Sequence, residues 1–298
     1  MNKPKIIVIL GPTASGKSDV AIRLAQDFDG EVISADSRQI YRWMDIGSGK
    51  ITPEEQKMAV HHMLDVADPM EEWSAGKFKR EAEKIIEDIL SRGKVPIICG
   101  GTGFWIQSIV DNVTFPKVKP NKDLRKILEK ETTENLFNEL KKLDPRRAAS
   151  VDEHNRPRLV RAIEIATELG SVPEMKSEPK YDALQIALDW PKEKLHERIE
   201  IRLNQRFEEG MVQEVQDLHD KHDVTWERLD DFGLEYRWIS RFLRGQITEE
   251  EMKEKLLQQI KNYAKRQMTW FQRNKEIKWL KEYDDIKKEV GDFLEKNS

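Results

Sequence analysis

The 298-residue sequence lacks several features that would assign it to particular classes of protein. Cys99 is its only cysteine, so an intramolecular disulfide and a cysteine-rich zinc site are both excluded. No segment approaches about 18 consecutive apolar residues, and the first residues, MNKPKIIVILG, contain no apolar stretch of signal-peptide length. We therefore expect a cytoplasmic protein that does not cross a membrane.

The sequence also lacks the excess of positive charge that is typical of a protein that coats nucleic acid. Its formal net charge is −4, although charged residues make up 36% of the chain. Any contact with nucleic acid would therefore have to come from local basic patches. Hydrophobic residues, at 38%, are sufficient for a buried core. Long helices that carry charges of both signs explain this composition better than disorder does.

Strand and helix patterns alternate in the first third of the chain. Short apolar runs with β-branched residues predict strands at 5–10, 31–36 and 95–100. Helical patterns lie between them, one ending at Gly30 and another beginning at Ser74. This β-α-β alternation predicts an α/β fold in which helices cover both faces of a parallel sheet.

The middle of the chain departs from this alternation. Residues 117–181 are rich in charge and helical in periodicity, with no convincing strand, and a strand pattern returns at 184–190. Pro191 then suits the first turn of a long helix, and the remaining sequence is helical to its end. We predict a core formed by 1–116 and 182–298, with an all-helical lobe, 117–181, inserted between strands of its sheet.

A phosphate-binding loop connects the first strand to the first helix. GPTASGKS fits the pattern G-x-x-x-x-G-K-[ST], in which backbone N–H groups and a helix N-terminus face anionic oxygens. Lys17 adds a point charge, and Ser18 can ligate the Mg²⁺ that bridges phosphate oxygens. The motif predicts a di- or triphosphate site but does not distinguish ATP from another diphosphate ester. Its residues are Gly11, Pro12, Thr13, Ala14, Ser15, Gly16, Lys17 and Ser18.

Polar segments follow two further strands of the predicted sheet, Asp36-Ser37-Arg38-Gln39 after the second and Gly100-Gly101-Thr102-Gly103 after the third. Because ligands of open α/β sheets bind at the carboxyl ends of the strands, both segments should face the phosphate loop. Asp36 could ligate Mg²⁺ or act as a general base, and Gln39 could read an adenine edge. Thr102 could offer its hydroxyl to a phosphate or a base. A turn-forming aspartate and a tight strand-to-helix turn remain the alternatives.

Near the C-terminus the sequence predicts a long helix with a basic face. Thr248 and Glu251 form a capping box at its start. At 100° per residue, one arc carries an apolar stripe, formed by Leu257, Ile260, Ala264, Met268 and Phe271. A separate arc carries Lys261, Lys265, Arg266 and Arg273. This arc is typical of a phosphate-facing patch, and a solvated basic face is the alternative.

Arginines also repeat at helical spacing farther upstream. Arg198 and Arg202 are four residues apart and have Glu197 and Glu200 beside them. Such a pattern is ordinary on an exposed helix, so the residues alone favour a solvated face for both arginines.

Taken together and in this order, these segments resemble the tRNA dimethylallyltransferase (tRNA isopentenyltransferase) family. The resemblance covers nearly the whole chain. It rests on SADSRQIYRWMDIGSGK (34–50), HHMLDVADP (61–69), the GGTG turn (100–103), NRPRLVRAIEI (155–165), RIEIRLNQRF (198–207) and AKRQMTWF (264–271). Three positions depart from the family pattern. Ser48 replaces a usual Thr, Trp105 replaces a usual Tyr, and the segment G-Y-[KR] reads Glu235-Tyr236-Arg237.

The resemblance implies a P-loop NTPase-like fold and transfer of a dimethylallyl group from dimethylallyl diphosphate to N6 of an adenosine. That adenosine is the one 3′ of the anticodon, position 37 of tRNA. Asp36, Thr102 and Arg202 are then the expected catalytic residues, and Mg²⁺ is the expected cofactor. The expected partners are the tRNA anticodon stem-loop and dimethylallyl diphosphate, and we expect a monomer. The implied tRNA contacts are Asp36, Ser37, Arg38, Gln39, Thr102, Arg125, Pro157, Arg158, Leu159, Val160, Arg161, Tyr236, Arg237, Lys265 and Arg266.

Other functions are compatible with parts of this pattern. A small-molecule or nucleotide kinase would explain the phosphate loop and Mg²⁺, but it would leave the basic C-terminal helix and the D-S-x-Q segment unexplained. A prenyltransferase acting on free adenine nucleotides would have little use for the same helix. An RNA-binding module with a nucleotide-sensing loop would not need Asp36 and Thr102 beside that loop.

Overall fold

The computed structural model describes residues 3–174 and 177–296. In these residues six parallel strands form one sheet with the order β3-β2-β4-β1-β5-β6. The strands are β1 Lys5–Leu10, β2 Gly30–Ser34, β3 His61–His62, β4 Val95–Gly100, β5 Asp182–Leu188 and β6 Lys278–Leu280. The predicted α/β fold is confirmed.

The helices that accompany the sheet fall into two groups along the chain. Those that precede the lobe are α1 Lys17–Asp27, α2 Pro53–Met58, α3 Ala75–Ser91 and α4 Gly103–Val110. Those that follow it are α9 Lys192–Glu208, α10 Met211–Asp220, α11 Trp226–Phe232, α12 Leu234–Leu243, α13 Glu249–Phe271 and α14 Tyr283–Glu295. The predicted caps of α3 and α13 are present. The Ser74 side chain accepts a hydrogen bond from the N–H of Lys77, and Thr248 forms a capping box with Glu251.

The sequence of β1 is a continuous apolar run because both faces of this strand are buried. Ile6, Val8 and Leu10 belong to one hydrophobic cluster, whereas Ile7 and Ile9 belong to another. Successive strand residues point to opposite faces, so each face of the sheet has its own core. Helices α3, α4, α9 and α13 contribute to the first cluster, and α1 and α14 contribute to the second.

A second compact unit, which we call the helical lobe, consists of Val113–Glu178. Its helices are α5 Lys122–Leu128, α6 Thr133–Leu143, α7 Pro145–Ala148 and α8 Arg156–Leu169. It has a core of its own that includes Leu136, Leu140 and Leu159. The predicted range, 117–181, ends three residues later than this unit, because Tyr181 is buried in the core next to the sheet.

The prediction that everything after Pro191 is helical is wrong at one point. Lys278–Leu280 forms β6, which pairs with β5 in the register Ile186↔Lys278 to Leu188↔Leu280. Three residues are too few to show the alternation of apolar and polar residues that predicts a strand. This strand is formed by pairing with β5, which the local sequence does not reveal. Separately, no helix in the described part of the chain is long and apolar enough to cross a membrane.

Candidate active site

The order of the strands brings three polar segments to one edge of the sheet. Strands β2, β4 and β1 are neighbours, so the residues that follow their carboxyl ends lie side by side. These residues are the phosphate loop, the Asp36–Gln39 segment and the Gly100–Gly103 turn. A cavity of about 780 Å³ lies at this edge, and Lys17, Ser18 and Asp36 are among the residues that line it.

The phosphate loop is held by contacts from outside its own sequence. Trp190 Nε1 donates to Ser15 O at 2.8 Å, and Thr13 N donates to Oε1 of Gln267 on α13 at 2.9 Å. Lys17 Nζ donates to Pro12 O at 3.2 Å. Burial lowers the pKa of Lys17, and the nearby carboxylate of Asp36 partly offsets this shift. A bound anion would stabilise this buried ammonium.

One face of α9 lines the cavity with three arginines, Arg198, Arg202 and Arg206. Burial lowers the pKa of Arg202, and the nearby charges of Arg206 and Arg198 lower it further. The solvated face expected for Arg198 is wrong, because its Nε donates to Ala14 O at 2.8 Å and its guanidinium lies over the Trp190 ring. Together with Lys17, these side chains make this part of the cavity an anion site.

Asp36 and Thr102, two expected catalytic residues, follow adjacent strands, and hydrogen bonds join Thr102 to the residues on either side of Asp36. Thr102 Oγ1 accepts from Ser37 N at 3.0 Å, and Thr102 N donates to Ala35 O at 3.2 Å. Asp36 Oδ1 accepts from Arg38 N at 2.9 Å, which fixes the carboxylate at the cavity wall. Thr102 is next to this wall but does not line the cavity. The structure thus places Thr102 as a support for the Asp36 segment.

Gln39 and Arg38 are already engaged by the protein. Gln39 Oε1 accepts from Ser34 Oγ at 3.0 Å, and its Nε2 donates to Gly49 O at 3.1 Å. Both ends of the amide are used, which conflicts with the expectation that Gln39 reads an adenine edge. Arg38 Nε and Nη2 donate to Phe232 O at 2.9 and 2.6 Å, so this side chain ties the segment to α11.

The loop at 45–50 forms another part of the cavity wall and is held by Glu214 of α10. The Glu214 carboxylate accepts from the N–H groups of Asp45, Ile46 and Gly47 at 2.6–3.0 Å. Gly49 must be glycine, because a Cβ there would lie 1.8 Å from Nη2 of Arg206. Burial raises the pKa of Glu214, although the hydrogen bonds from the three N–H groups lower it in part. No sequence pattern indicates a role for this carboxylate.

The Glu235-Tyr236-Arg237 segment divides between the cavity and the interior. Glu235 and Arg237 line the cavity, and Arg206 Nη1 lies 3.4 Å from Glu235 Oε1. Burial raises the pKa of Glu235, and Arg206 opposes the shift. Tyr236 is 1% exposed, and its hydroxyl donates to Glu214. A side-chain contact between Tyr236 and tRNA is therefore incompatible with the structure. Trp105, which replaces the tyrosine usual in the family, stacks on Phe78 in the core.

The basic residues of α13 do not form one uniform patch. Lys265 and Arg266 are exposed, and Arg266 also lines the cavity. Lys261 lies 3.5 Å from Glu200 of α9, an acid that the helix's own sequence does not reveal. The apolar stripe also differs from the prediction at two positions, because Leu256 and Gln267 are buried, whereas Leu257 and Met268 are half-buried.

In the helical lobe, the expected tRNA contacts have different environments. Pro157 and Arg158 are exposed, and Val160 is half-buried. Leu159 is 0% exposed within the lobe's core, so its side chain cannot contact tRNA. Arg125 and Arg161 donate to the buried Glu164 carboxylate at 2.7–3.0 Å.

Two further side chains bear on metal and thiol chemistry. Ser18 lies in the first turn of α1 and presents a hydroxyl, a type of oxygen ligand that suits Mg²⁺, at the cavity. The described residues contain no group of three or more His, Cys, Asp or Glu side chains that could hold a metal ion. Burial raises the pKa of Cys99 to about 12, which agrees with a structural thiol.

The parallel sheet, the phosphate loop and the anion site beside it define a protein with a P-loop NTPase-like fold. The IPP transferase family matches residues 39–274, and the isopentenyl transferase family matches residues 4–73. The chain belongs to the IPP transferase family.

Individual relatives agree with this assignment. A tRNA dimethylallyltransferase 1 from Syntrophus aciditrophicus is 39% identical over 96% of this chain and 97% of its own. The crystal structure of a tRNA isopentenylpyrophosphate transferase from Staphylococcus epidermidis has 35% identity and a TM-score of 0.73, over 99% of this chain and 100% of that one. A eukaryotic dimethylallyltransferase acting on tRNA has 32% identity and a TM-score of 0.77, over 90% of this chain and 69% of that one.

Proposed function

We propose that this enzyme transfers a dimethylallyl group from dimethylallyl diphosphate to N6 of adenosine 37 in tRNA and releases diphosphate. The observation that carries the proposal is the shared cavity, which is lined both by Lys17, Arg198 and Arg202 and by Asp36. The cations provide a site for a leaving diphosphate, and the carboxylate provides a base for an incoming amine.

The reaction makes one bond and breaks another at the same carbon. The N6 lone pair attacks C1 of the dimethylallyl group, and the bond from C1 to the diphosphate oxygen breaks. This amine is a weak nucleophile because its lone pair is delocalised into the adenine ring. Asp36 accepts the proton that N6 loses, which is the role of a general base.

The cationic residues act on the leaving group. Lys17, Arg202 and the N–H groups of the loop face the place where negative charge accumulates as the bond to C1 breaks. Their burial makes this stabilisation stronger than it would be in water. Ser18 would supply one oxygen ligand to Mg²⁺, which when bound offsets charge on the diphosphate.

The acceptor requires a base to leave the anticodon loop and enter the cavity. Arg237 and Arg266 line the cavity, and Lys265 lies exposed beside Arg266 on α13. We infer that these side chains contact the RNA backbone, because basic groups around a base-binding cavity would neutralise the phosphates that accompany the base. The exposed Pro157 and Arg158 of the helical lobe are further candidates.

The test is a transfer assay with purified protein, Mg²⁺ and radiolabelled dimethylallyl diphosphate. We expect label to enter an anticodon stem-loop with adenosine at position 37, and not a matched stem-loop with guanosine there. Label from γ-labelled ATP is measured in parallel. Phosphate transfer from ATP, without dimethylallyl transfer, would replace the proposal with the kinase alternative.

A further inference from the structure

Gln267 is a polar residue on the buried stripe of α13. It is 6% exposed and shares this stripe with Ile260, Ala264 and Phe271. Its amide connects two segments that are far apart in the sequence. Oε1 accepts from Thr13 N in the phosphate loop at 2.9 Å, and Nε2 donates to Gly101 O at 2.9 Å.

The partners fix the orientation of the amide. With Oε1 toward Thr13 N and Nε2 toward Gly101 O, each donor meets an acceptor. The flipped amide would place N–H against N–H and carbonyl against carbonyl. Gly101 permits the contact, because a Cβ at this position would lie 2.4 Å from Nε2 of Gln267. The contact therefore depends on glycine at 101 and on an amide at 267.

The contacts of Gln267 continue to the acceptor side of the cavity. Gly101 precedes Thr102, whose backbone N donates to Ala35 O and whose Oγ1 accepts from Ser37 N. Ala35 and Ser37 flank Asp36 in the chain. Gln267 thus closes a series of hydrogen bonds that runs from the phosphate loop to the backbone on either side of Asp36.

We propose that Gln267 is a positioning residue that sets the distance between the diphosphate site and the Asp36 base. This inference rests on the proposed function, because it concerns the two groups that a prenyl transfer needs on opposite sides of one carbon. Displacement at that carbon requires the nucleophile and the leaving group to be held in line, and an error of about 1 Å can cost roughly 100-fold in rate.

A positioning role differs from a binding role in its kinetic signature. The polar atoms of Gln267 are occupied by the protein, so its loss should leave diphosphate affinity largely intact and should lower turnover. Gln267→Leu removes both hydrogen bonds and adds no charge. We expect kcat to fall roughly 100-fold while KM for dimethylallyl diphosphate stays within about threefold.

Gln267→Glu supplies a second readout, because only its protonated form can reproduce both hydrogen bonds. An ionised Glu can accept from Thr13 N but cannot donate to Gly101 O, whereas a protonated Glu can do both. Burial raises the pKa of such a carboxyl above that of an exposed one. The ratio of its kcat to that of the wild type should therefore rise, by about fivefold or more, from pH 8 to pH 5.5.

Two controls accompany these variants. Gln258→Glu adds the same charge on an exposed part of α13, where Gln258 donates to Asn262, and its ratio to wild type should be flat across this pH range. The ratio for Gln267→Leu should also be flat, since Leu does not titrate. Thermal unfolding establishes that each variant is folded.

The outcomes separate this inference from the proposed function. Wild-type transfer to the stem-loop tests the function by itself. If the wild type transfers the prenyl group, a raised KM with unchanged kcat in Gln267→Leu would overturn the positioning role and indicate a substrate ligand. A flat ratio for Gln267→Glu would overturn the claim that both hydrogen bonds are required.

Discussion

Buried charged side chains at the two ends of the parallel sheet have different partners. At the amino end of β2, Glu31 is 3% exposed and is bonded by Arg92 Nη2 and His62 Nε2, both at 2.8 Å. Lys94 lies 3.7 Å away. At the carboxyl end, Lys17 and Arg198 donate to backbone carbonyl oxygens, and Arg202 lies between two other arginines of α9.

These arrangements have opposite effects on the charged groups. Hydrogen bonds from Arg92 lower the pKa of Glu31 to about 2, so this charge stabilises the folded state. Burial lowers the pKa of Lys17 and Arg202, so the folded apo protein disfavours their charges. The sheet is thus stabilised at one end, and at the other it retains buried cations that a bound anion would stabilise.

The largest expected effect is on turnover, at the carboxyl end. Asp36→Asn keeps the shape of the side chain but removes the base, so kcat should fall by roughly 1,000-fold. Affinity for tRNA should remain within several-fold of wild type, as measured by filter binding. Asp65→Asn, which removes an exposed carboxylate paired with Lys50, is the matched control and should retain turnover within several-fold. Turnover near wild type in Asp36→Asn would remove Asp36 as the base.

The next effect is on stability, at the amino end. Glu31→Gln should lower the free energy of unfolding by about 2 kcal/mol at pH 7, because the hydrogen bonds from Arg92 and His62 lose their charged acceptor. The pKa of Glu31 is lowered in the folded state, so its contribution is complete above the usual value of 4.5 and declines as pH falls toward about 2. The gap between the variant and the wild type should therefore shrink at pH 3.

Chemical denaturation at the two pH values measures this gap. Asp88→Asn is the control, because Asp88 binds the same Arg92 but is 62% exposed, and it should change stability by less than about 0.5 kcal/mol. An equal loss at pH 7 and pH 3 for Glu31→Gln would contradict a charge-based role.

The smallest effect is on the salt dependence of RNA binding. Lys265→Ala with Arg266→Ala removes two exposed basic groups of α13, so the slope of log K against log salt should decrease by about 1 to 2. Lys253→Ala with Lys255→Ala removes the same charge from the acidic first half of the helix, where Lys253 pairs with Glu249, and should leave the slope unchanged. Equal slopes for the two double variants would contradict the patch.

The sequence predicts the parts of the site that are contiguous in the chain. The phosphate loop, the Asp36 segment and the Gly100–Gly103 turn each follow a strand, and strand order alone brings them together. The contacts of Gln267 with Thr13 and Gly101, and that of Glu214 with the loop at 45–50, could not be predicted in this way, because they join residues more than 160 positions apart. The predicted apolar stripe of α13 named Met268, whereas the structure buries the neighbouring Gln267 instead.

The errors in the prediction have the same origin. Gln39 was assigned to an adenine edge because its amide has a donor and an acceptor, and Tyr236 was assigned to tRNA because the family resemblance implies it. The structure instead pairs the Gln39 amide with Gly49 and the Tyr236 hydroxyl with Glu214. Arg198 was assigned to solvent because its neighbours in the sequence are acidic, but Ala14 and Trp190 surround it. Whether a polar side chain is free to bind depends on segments that its own neighbourhood does not contain.

The central claim, that the buried cations at the carboxyl end form a site for diphosphate, is tested most directly with Arg202→Leu. We expect this variant to melt at or above the temperature of the wild-type apo protein, since it removes a buried charge from between two arginines. Saturating inorganic diphosphate should raise the melting temperature of the wild type and have a much smaller effect on the variant. A lower apo melting temperature together with an undiminished diphosphate shift would contradict the account.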